Sequence, residues 1–282
     1  MSETTQERVT VTVDNHVADV RLNRPEKMNA LDPAMFEGIV RAGQRVAADP
    51  SVRAVVLSGE GRAFCAGLDF GRFQQMSDRP KDDVPSAGSG GAVSDLIQER
   101  TDAQPANHAQ QTAWVWHTCP VPVIAAVHGV AFGGGLQVCL GADIRIVAPD
   151  ARLSIRESYW GLVPDMAGTQ LLRDLMPLDV VKELTYTARE VSGEEAVRLG
   201  MATRVADDPY AAAHELAREI AGRSPDAIRA AKQLLNESRV RNARGVLELE
   251  TELQVGLIGS ANQVETVRAN FEKRPPEFRD PS

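Results

Sequence analysis

The sequence has few of the features that commit a protein to a metal, a membrane or a nucleic acid. It contains three cysteines among 282 residues, and Cys65, Cys119 and Cys139 do not have the spacing of a metal site. We interpret them as small buried apolar side chains in a reducing compartment. No apolar run approaches the ~20 residues that cross a bilayer, and a net charge of −8 gives no general attraction to nucleic acid. The sequence therefore predicts no metal centre, no membrane span and no nucleic-acid partner.

Common signatures of nucleotide binding, of hydrolysis and of targeting are missing too. The glycine run over residues 133–135 lacks both the Gly-Lys-Ser/Thr of a phosphate loop and the spacing of a dinucleotide fingerprint. The chain shows no Ser-His-Asp order of the kind that hydrolases use. Its first residues, "MSETTQERVTVTV", are polar and lead straight into a predicted strand, unlike a secretory or transit signal. We therefore expect a cytoplasmic protein without a phosphate loop.

The order of the predicted elements indicates an α/β protein. Alternating apolar residues over 8–22 predict a hairpin. Helical spacing after Asp32, a suitable N-cap, predicts a helix over 33–49. Short apolar stretches over 52–59 and over 120–132 each predict one buried strand, of the kind found in a sheet covered on both faces.

Helices dominate the remainder of the chain. Two further short strands are predicted within residues 142–155, and six helical patterns follow them. One of these, "SGEEAVRLGM", has Ser192 as its N-cap, with Glu195 placed to complete a capping box. The length of the chain predicts one main core with a smaller appendage.

The boundaries that we expect follow from these patterns. Residues 1–205 form the α/β core, and residues 206–282 form a helical region for oligomerisation. Residues 77–111 are polar and rich in Gly, Pro and Ser, which is typical of a lid or binding loop. We predict a partly mobile lid there, with a short helix around Leu96.

Two small-residue segments follow predicted strands. The stretch "GRAFCAGLDFGRF" follows one of them, and the glycines at 133–135 follow another and open a helix. Glycine lets a ligand approach the unpaired N–H groups at a helix start, which favours an anion or oxyanion site. Close packing of strand against helix explains the glycines equally well. If both segments present an N–H group at the carboxyl ends of neighbouring strands, they form a two-donor oxyanion hole.

A third segment carries two acids. Glu157 and Asp165 are separated by Gly161 and Pro164, so a turn between them can bring both carboxylates to one cavity. We expect an apolar wall to raise their pKa values towards a working range; its predicted members are Tyr159, Trp160, Leu162 and Met166. Taken alone, each acid is more often a surface group or half of a structural ion pair.

Together these stretches resemble the crotonase superfamily, the enoyl-CoA hydratase/isomerase family, over about residues 8 to 275. The matching pieces include "LNRPEKMNAL", "GRAFCAGLD", "PVPVIAAVHGVAFGGG", "CLGADIRIVAPDARLSIRE" and "WGLVPDMAGTQLL". The resemblance implies an α/β fold, a spiral of ββα turns with a C-terminal helical trimerisation region. It also implies a homo-trimer, or a hexamer made of two trimers, and an acyl-CoA thioester substrate. No cofactor is implied beyond the coenzyme A of that substrate.

The resemblance also assigns residues by position. The thioester oxygen is held by the backbone N–H groups of Leu68 and Gly134. Because the N–H group matters and the side chain does not, leucine at position 68 presents no conflict. The residues that the resemblance places around coenzyme A and the acyl chain are Arg24, Lys27, Ala63, Cys65, Ala66, Gly67, Asp69, Gly133, Trp160 and Lys273.

The reaction depends on the acids. Hydratases that this chain resembles use two glutamates, at the positions of Gln137 and Glu157, and glutamine has no acid form. Dienoyl-CoA isomerases use acids at the positions of Glu157 and Asp165, with a third at position 137 that assists. We therefore expect an isomerase that shifts double bonds through a (di)enolate, with Gln137 orienting the acyl chain or a water. Which of Glu157 and Asp165 is the acid and which the base stays open.

Three other functions remain as alternatives. The first is an enoyl-CoA hydratase in which Glu157 is the main acid and base. The second is a family member that binds acyl-CoA without catalysis. Dehalogenase chemistry through an aspartate near position 165 is the third. Relatives with that chemistry carry tryptophan where this chain has Glu157, which counts against it.

Overall fold

The computed structural model describes residues 7–69, 71 and 105–281. The chain begins with a hairpin of two antiparallel strands, β1 (Val9–Asp14) and β2 (Val17–Leu22). Asn15 and His16 between them both have positive φ, 47° and 67°, as the tight turn that matches strand twist requires. The predicted hairpin is confirmed.

A six-stranded sheet forms the centre of the fold, in the order β1-β2-β3-β4-β6-β9. From β2 onwards the neighbouring strands run parallel. Its further members are β3 (Ala54–Gly59), β4 (Val123–Val127), β6 (Ile144–Val147) and β9 (Arg204–Val205). Every residue of β4 is buried, which confirms the prediction of strands covered on both faces.

Two helices cover opposite faces of this sheet. The first, α1 (Pro33–Ala48), is capped by Asp32, whose carboxylate accepts a hydrogen bond from the Met35 N–H at 2.8 Å. It is confirmed as predicted. Successive side chains of β3 point to opposite faces of the sheet, since Val55 and Val56 belong to different core clusters. The cluster of Val56 includes alanines of a later helix, α7 (Pro209–Ala221).

The next described helix is α2 (His108–His117), which packs on α1. It begins with a capping box between Asn107 and Gln110, and Ala109 is buried. Residues 105–111 therefore lead into a packed helix, although the predicted lid extended over them. The rest of that prediction, including the helix around Leu96, lies outside the described residues.

One predicted strand, over residues 120–132, is wrong because the structure divides it into two. After β4 the chain turns at Gly129, where φ is +61°, and continues as β5 (Val130–Phe132). A Cβ atom at position 129 would lie 2.0 Å from the carbonyl oxygen of Arg62. Only glycine permits this turn and this close approach. The apolar run therefore does not show that the chain passes from one sheet to the other at this residue.

A small second sheet holds β5, β7 (Arg152–Ser154) and β8 (Val191–Ser192). The two strands predicted within 142–155 are confirmed as β6 and β7. Short helical segments follow the strands of this sheet along the chain. They are α3 (Gly134–Leu140), a 3₁₀ turn (Glu157–Trp160), α4 (Gly168–Leu172), α5 (Leu178–Thr187) and α6 (Gly193–Leu199).

The start of α6 agrees with prediction only in part. The hydroxyl of Ser192 accepts a hydrogen bond from the Glu195 N–H at 3.1 Å, so Ser192 is the N-cap. The Glu195 carboxylate accepts from Arg189 instead, at 3.0 Å. The predicted capping box is therefore incomplete, because a nearby guanidinium outcompetes a backbone N–H for this carboxylate.

Four helices complete the described chain: α7 (Pro209–Ala221), α8 (Pro225–Glu237), α9 (Ala243–Leu257) and α10 (Ala261–Glu272). The first, α7, packs on β3 and β4 and covers the second face of the sheet. The last three expose many large apolar side chains; they include Leu235, Leu247, Val255, Val264 and Phe271. None of the helices in the described ranges has the length and apolar character needed to cross a bilayer.

Candidate active site

The two small-residue segments meet beside the second sheet. The Cys65 N–H donates to the Val130 carbonyl at 3.0 Å, and the Phe132 N–H donates back to the Cys65 carbonyl at 3.1 Å. Gly67 has φ of +90°, and a Cβ atom there would lie 2.6 Å from the Phe132 oxygen and 3.8 Å from the nitrogen of Gly134. Glycine at position 67 therefore permits the close approach of these two backbone segments.

Leu68 and Gly134 present their amides at this junction. The Leu31 N–H donates to the Gly67 carbonyl at 2.8 Å, and the Asp69 N–H donates to the Leu31 carbonyl at 3.1 Å. Because successive amides of an extended chain point to opposite sides, the Leu68 N–H faces away from Leu31. Gly134 is the first residue of α3, where an N–H has no partner within the helix.

Neither of these two amides has a hydrogen-bond acceptor among the residues that the structure describes. Two unpaired N–H groups on adjoining backbone segments are what an oxygen that gains negative charge requires. The structure thus brings together the two predicted donors of an oxyanion hole. Gly133, at the N-cap of α3, has φ of +50° and adjoins the same junction.

Asn29 fastens the neighbouring loops to each other, and sequence reasoning missed it. Its side chain is fully buried, and its Oδ1 accepts from the Arg24 N–H at 2.8 Å. Its Nδ2 donates to the carbonyls of Glu60 at 2.9 Å and Ala63 at 2.8 Å. The residue has φ of +55°, a conformation that asparagine tolerates better than most residues. The asparagine in "MNAL" was therefore the one sequence feature that could have indicated this turn.

The residues predicted to contact coenzyme A separate into two groups. Arg24 is bound within the protein, since its guanidinium lies 2.6 Å from the Asp69 carboxylate and 3.1 Å from the Ala30 carbonyl. Burial alone would raise the pKa of the Asp69 carboxyl, but the ion pair with Arg24 outweighs burial and lowers this pKa. Lys27 is exposed on a 3₁₀ turn (Pro25–Lys27). The guanidinium of Arg24 thus shapes the loop, while the ammonium of Lys27 remains accessible.

The other predicted contacts lie in different surroundings. Ala63 and Cys65 are buried and Ala66 is half-buried in the loop that follows β3. Lys273 is exposed at the C-terminal end of α10. Among the described residues, no hydrogen bond or ion pair joins Lys273 to the other predicted site residues. The described hydrogen bonds and ion pairs therefore do not link Lys273 to the junction of Leu68 and Gly134.

Glu157 and Gln137 form the polar centre of the site. Gln137 is 2% exposed and Glu157 is 8% exposed. The Gln137 Nε2 donates to the Glu157 Oε1 across 2.5 Å. The Gln137 Oε1 accepts from the N–H groups of Met166 and Gly168, each at 2.8 Å. The other carboxylate oxygen, Glu157 Oε2, is buried and has no hydrogen-bond partner within the described ranges.

Asp165 lies in the turn that leads into α4, next to Met166, whose N–H donates to Gln137. Burial raises the pKa of the Glu157 carboxyl and outweighs the hydrogen bonds from its own backbone N–H, from Gln137 and from the Arg156 N–H, and the charge of Asp165 raises it further. Asp165 is exposed as a residue, yet burial of its carboxyl among protein atoms also raises its pKa. The predicted turn therefore brings both acids into one electrostatic environment, with Glu157 inside and Asp165 at the solvent side.

The predicted apolar wall around these acids is wrong in three of its four members. Tyr159, Trp160 and Leu162 are 65%, 42% and 45% exposed, whereas Met166 is buried. Glu157 is covered instead by backbone and by Gln137, since a Cβ atom on Gly133 would lie 3.3 Å from its Oε1. The sequence shows apolar residues in the segment, but their direction depends on tertiary packing.

This geometry can be compared with known proteins. The sequence profile of the enoyl-CoA hydratase/isomerase family matches residues 17–211, more than half of the chain. The chain belongs to this family. A solved structure of an enoyl-CoA hydratase from Bacillus anthracis superimposes with a TM-score of 0.84 at 28% identity, covering 97% of this chain and 100% of that one. The predicted family and the predicted crotonase-like α/β fold are confirmed.

Relatives within the enoyl-CoA hydratase/isomerase family carry two kinds of name. The mitochondrial Delta(3,5)-Delta(2,4)-dienoyl-CoA isomerase of Mus musculus is 33% identical over 279 residues, covering 97% of this chain and 82% of that protein. A Bacillus subtilis protein named "Probable enoyl-CoA hydratase" is 31% identical over 274 residues, covering 96% of this chain and 98% of that protein. Overall identity therefore establishes the family without choosing between isomerase and hydratase.

Proposed function

We propose that this enzyme shifts the double bonds of a dienoyl-CoA thioester, converting a 3,5-diene into the conjugated 2,4-diene. The observation that carries the proposal is the pair Glu157 and Asp165, two acids with raised pKa values in one site. The position where a hydratase of the family has its other acid is occupied by Gln137, whose amide is already hydrogen-bonded.

The oxyanion donors supply the first half of the mechanism. The thioester oxygen binds between the N–H groups of Leu68 and Gly134. When a proton leaves the carbon next to the thioester, negative charge moves onto that oxygen and the diene becomes a conjugated trienolate. Fixed backbone donors stabilise this charge without reorganisation, and the loss of one such donor typically costs about 10²–10³-fold in kcat.

The two acids supply the second half. One carboxylate removes a proton from C2, the electrons move along the conjugated chain, and the other acid returns a proton at C6. Atoms and charge balance, because one proton is lost and one is gained. Acids with raised pKa values exchange protons more efficiently near neutral pH. Asp165 is exposed, so solvent can restore the starting protonation states after each turnover.

Hydration of a 2-enoyl-CoA is the second candidate, favoured by the name of the Bacillus subtilis relative. In this reaction Glu157 would be the main acid and base. It requires a second group that activates or orients the water, and Gln137 has no acid form. Its amide oxygen is already engaged by two backbone N–H groups. We therefore place hydration second.

The variant Asp165→Asn tests the proposal. A 3-enoyl-CoA needs only one base for its shift to the 2-enoyl isomer, whereas a 3,5-dienoyl-CoA needs a second group at C6. Turnover of the diene should fall by about 10²–10⁴-fold, with much less effect on the 3-enoyl substrate. Asp150→Asn, at an exposed turn, is the control. Full diene turnover by Asp165→Asn would overturn the proposal.

The assembly, the coenzyme A contacts and the compartment are also proposals. The exposed apolar side chains of α8, α9 and α10 support a homo-trimer or a pair of trimers, because patches of this kind mark interfaces. The exposed ammonium groups of Lys27 and Lys273 are suited to the phosphates of coenzyme A. We place the enzyme in the cytoplasm. Light scattering on the purified protein measures the number of chains in the assembly, and a monomer would contradict the proposed trimer.

A further inference from the structure

We infer that Gln137 is a positioning residue, whose amide fixes the Glu157 carboxylate with Oε2 as the proton-exchanging oxygen and ties the Asp165 turn to it. The inference rests on the proposed function in one respect, namely that Glu157 carries a proton in the reaction. It assigns to Gln137 a role different from orienting the acyl chain or a water.

The orientation of the amide follows from its partners. The N–H groups of Met166 and Gly168 both point at one atom of the Gln137 side chain, each at 2.8 Å. A backbone N–H only donates, so that atom must be the oxygen. The NH₂ group is then the end that faces Glu157 Oε1, at 2.5 Å. The Gln137 amide cannot be flipped, because its NH₂ group would then face the N–H donors of Met166 and Gly168.

The two carboxylate oxygens of Glu157 therefore differ in their hydrogen bonding. Oε1 accepts a hydrogen bond from Gln137, and this bond favours the ionised carboxylate against the effect of burial. Oε2 is buried and has no partner among the described residues. A buried oxygen without a donor is costly, and a proton from the substrate is the partner that it lacks. Proton exchange is thereby assigned to Oε2.

The consequence for Asp165 is a fixed position. Asp165 directly precedes Met166, and the next two residues form a left-handed step at Ala167, with φ of +69°, and the start of α4 at Gly168. A Cβ atom at position 168 would lie 2.6 Å from Cγ and 2.7 Å from Oε1 of Gln137. Glycine at this position therefore lets the turn rest on the amide.

The same geometry predicts what a glutamate at position 137 would do in this chain. In Gln137→Glu, one carboxylate oxygen still accepts from Met166 and Gly168, so the turn remains held. The other oxygen faces Glu157 Oε1, and two carboxylates this close share one proton. The two backbone donors favour the charge on residue 137, so the proton stays with Glu157. Gln137 thus keeps Glu157 available as a base at neutral pH.

The charges near this pair are Asp165 and Arg156. Burial raises the pKa of the Glu157 carboxyl, and the charge of Asp165 raises it further. Arg156, the neighbour of Glu157 in sequence, is ion-paired with Glu190 at 2.7 Å. A shift in the pH profile of a Gln137 variant can therefore be attributed to residue 137, with Asp165→Asn as the reference for the remaining charge.

Two substitutions separate the donor function of Gln137 from its acceptor function. Gln137→Glu keeps the acceptor and removes the donor, whereas Gln137→Met keeps the length and removes both. Gln170→Met, an exposed glutamine on α4, is the matched control. The measurement is kcat and KM for a 3,5-dienoyl-CoA as a function of pH, on variants whose folding is checked by circular dichroism.

We expect the kcat of Gln137→Glu to fall at neutral pH by about tenfold for each unit by which the pKa of Glu157 rises, and to recover as the pH is raised. KM should change little. Gln137→Met should lose about 10–10²-fold in kcat without this recovery, because it disturbs both acids. Gln170→Met should match the wild type. A wild-type pH profile for Gln137→Glu, or a sharp gain in its hydratase activity, would overturn the inference.

Failure of the proposed function is distinguishable from failure of this inference. If the wild type does not isomerise dienes but hydrates crotonyl-CoA, the same pH profiles are measured in that reaction, since Glu157 carries a proton there too. Thermal unfolding gives a readout without turnover. The melting temperature of Gln137→Glu should fall with rising pH more steeply than that of the wild type, and adding Glu157→Gln should remove the difference. Parallel curves would overturn the inference.

Discussion

The side chain of Gln137 donates a hydrogen bond to the carboxylate of Glu157, with 2.5 Å between Nε2 and Oε1. The same amide accepts from the N–H of Met166, the residue that follows Asp165. A side chain without an acid form therefore links the two acids on which the proposed proton transfer depends. In the proposed reaction, the residue at which this chain differs from a two-glutamate hydratase also positions the two acids.

The raised pKa of Glu157 predicts a specific dependence of stability on pH. Because its carboxyl holds a proton more tightly in the folded than in the unfolded chain, its contribution to stability is lost as the pH rises through the folded pKa. Each unit of the shift corresponds to about 1.4 kcal/mol. The difference in unfolding free energy between wild type and Glu157→Gln, measured by denaturant titration, should therefore move in favour of the variant as the pH rises.

The control for that experiment is Glu194→Gln, an exposed glutamate in the first turn of α6. The pH dependence for Glu157→Gln should exceed that for Glu194→Gln, because of the two carboxyls only that of Glu157 is buried. A flat difference for Glu157→Gln would mean that the buried carboxyl does not have a raised pKa. The raised pKa that supports its proposed role in proton exchange would then be absent.

Gly67→Ala should damage the proposed oxyanion hole. The new Cβ atom would lie 2.6 Å from the Phe132 carbonyl oxygen at a backbone φ of +90°, so the loop must shift and move the Leu68 N–H. We expect kcat to fall by about 10²–10³-fold, together with a loss of stability of about 1–3 kcal/mol. Steady-state kinetics and thermal unfolding measure the two effects.

Gly256→Ala provides the matched control for this substitution. Gly256 lies within α9, and a Cβ atom there meets nothing within 4 Å among the described residues. Alanine should therefore stabilise that helix by about 0.5–1 kcal/mol and leave kcat unchanged. Unchanged kcat in Gly67→Ala would show that the Leu68 amide does not hold the thioester oxygen.

Asn29→Ala should loosen the loops that carry the site. The side chain of Asn29 is fully buried and satisfies the Arg24 N–H and the carbonyls of Glu60 and Ala63. Its removal leaves buried polar groups without partners, at a cost of about 2–5 kcal/mol. Urea unfolding measures this loss, with the exposed Asn270→Ala on α10 as the control. Equal stability of the two variants would contradict the bracing role.

Much of the fold could be predicted because local patterns determine it. The hairpin at β1 and β2, the cap of α1 at Asp32 and the buried strands of the sheet follow from alternation, capping chemistry and apolar runs. The division of β4 from β5 could not be predicted, because an apolar run does not reveal that Gly129 turns the chain into another sheet. The incomplete capping box at Glu195 depends on a guanidinium that only the tertiary structure brings near.

The candidate site was predictable to a smaller extent. Residue types and the family resemblance pointed to Leu68, Gly134, Glu157 and Asp165, and the structure brings their segments together. The clamp by Gln137 joins groups distant in sequence through backbone N–H donors, and no side-chain pattern encodes such donors. The exposure of Tyr159 and its neighbours depends in the same way on packing. Sequence therefore indicated which residues to consider, and the structure shows how they are held.

The most direct test of the account compares two reactions of the wild-type enzyme. Formation of a 2,4-dienoyl-CoA from a 3,5-dienoyl-CoA and hydration of crotonyl-CoA are both followed by ultraviolet absorbance, and kcat/KM is determined for each under one set of conditions. Because the second hydratase acid is replaced by Gln137, we predict a kcat/KM at least about 10²-fold higher for the diene. Hydration as fast as, or faster than, isomerisation would contradict the account.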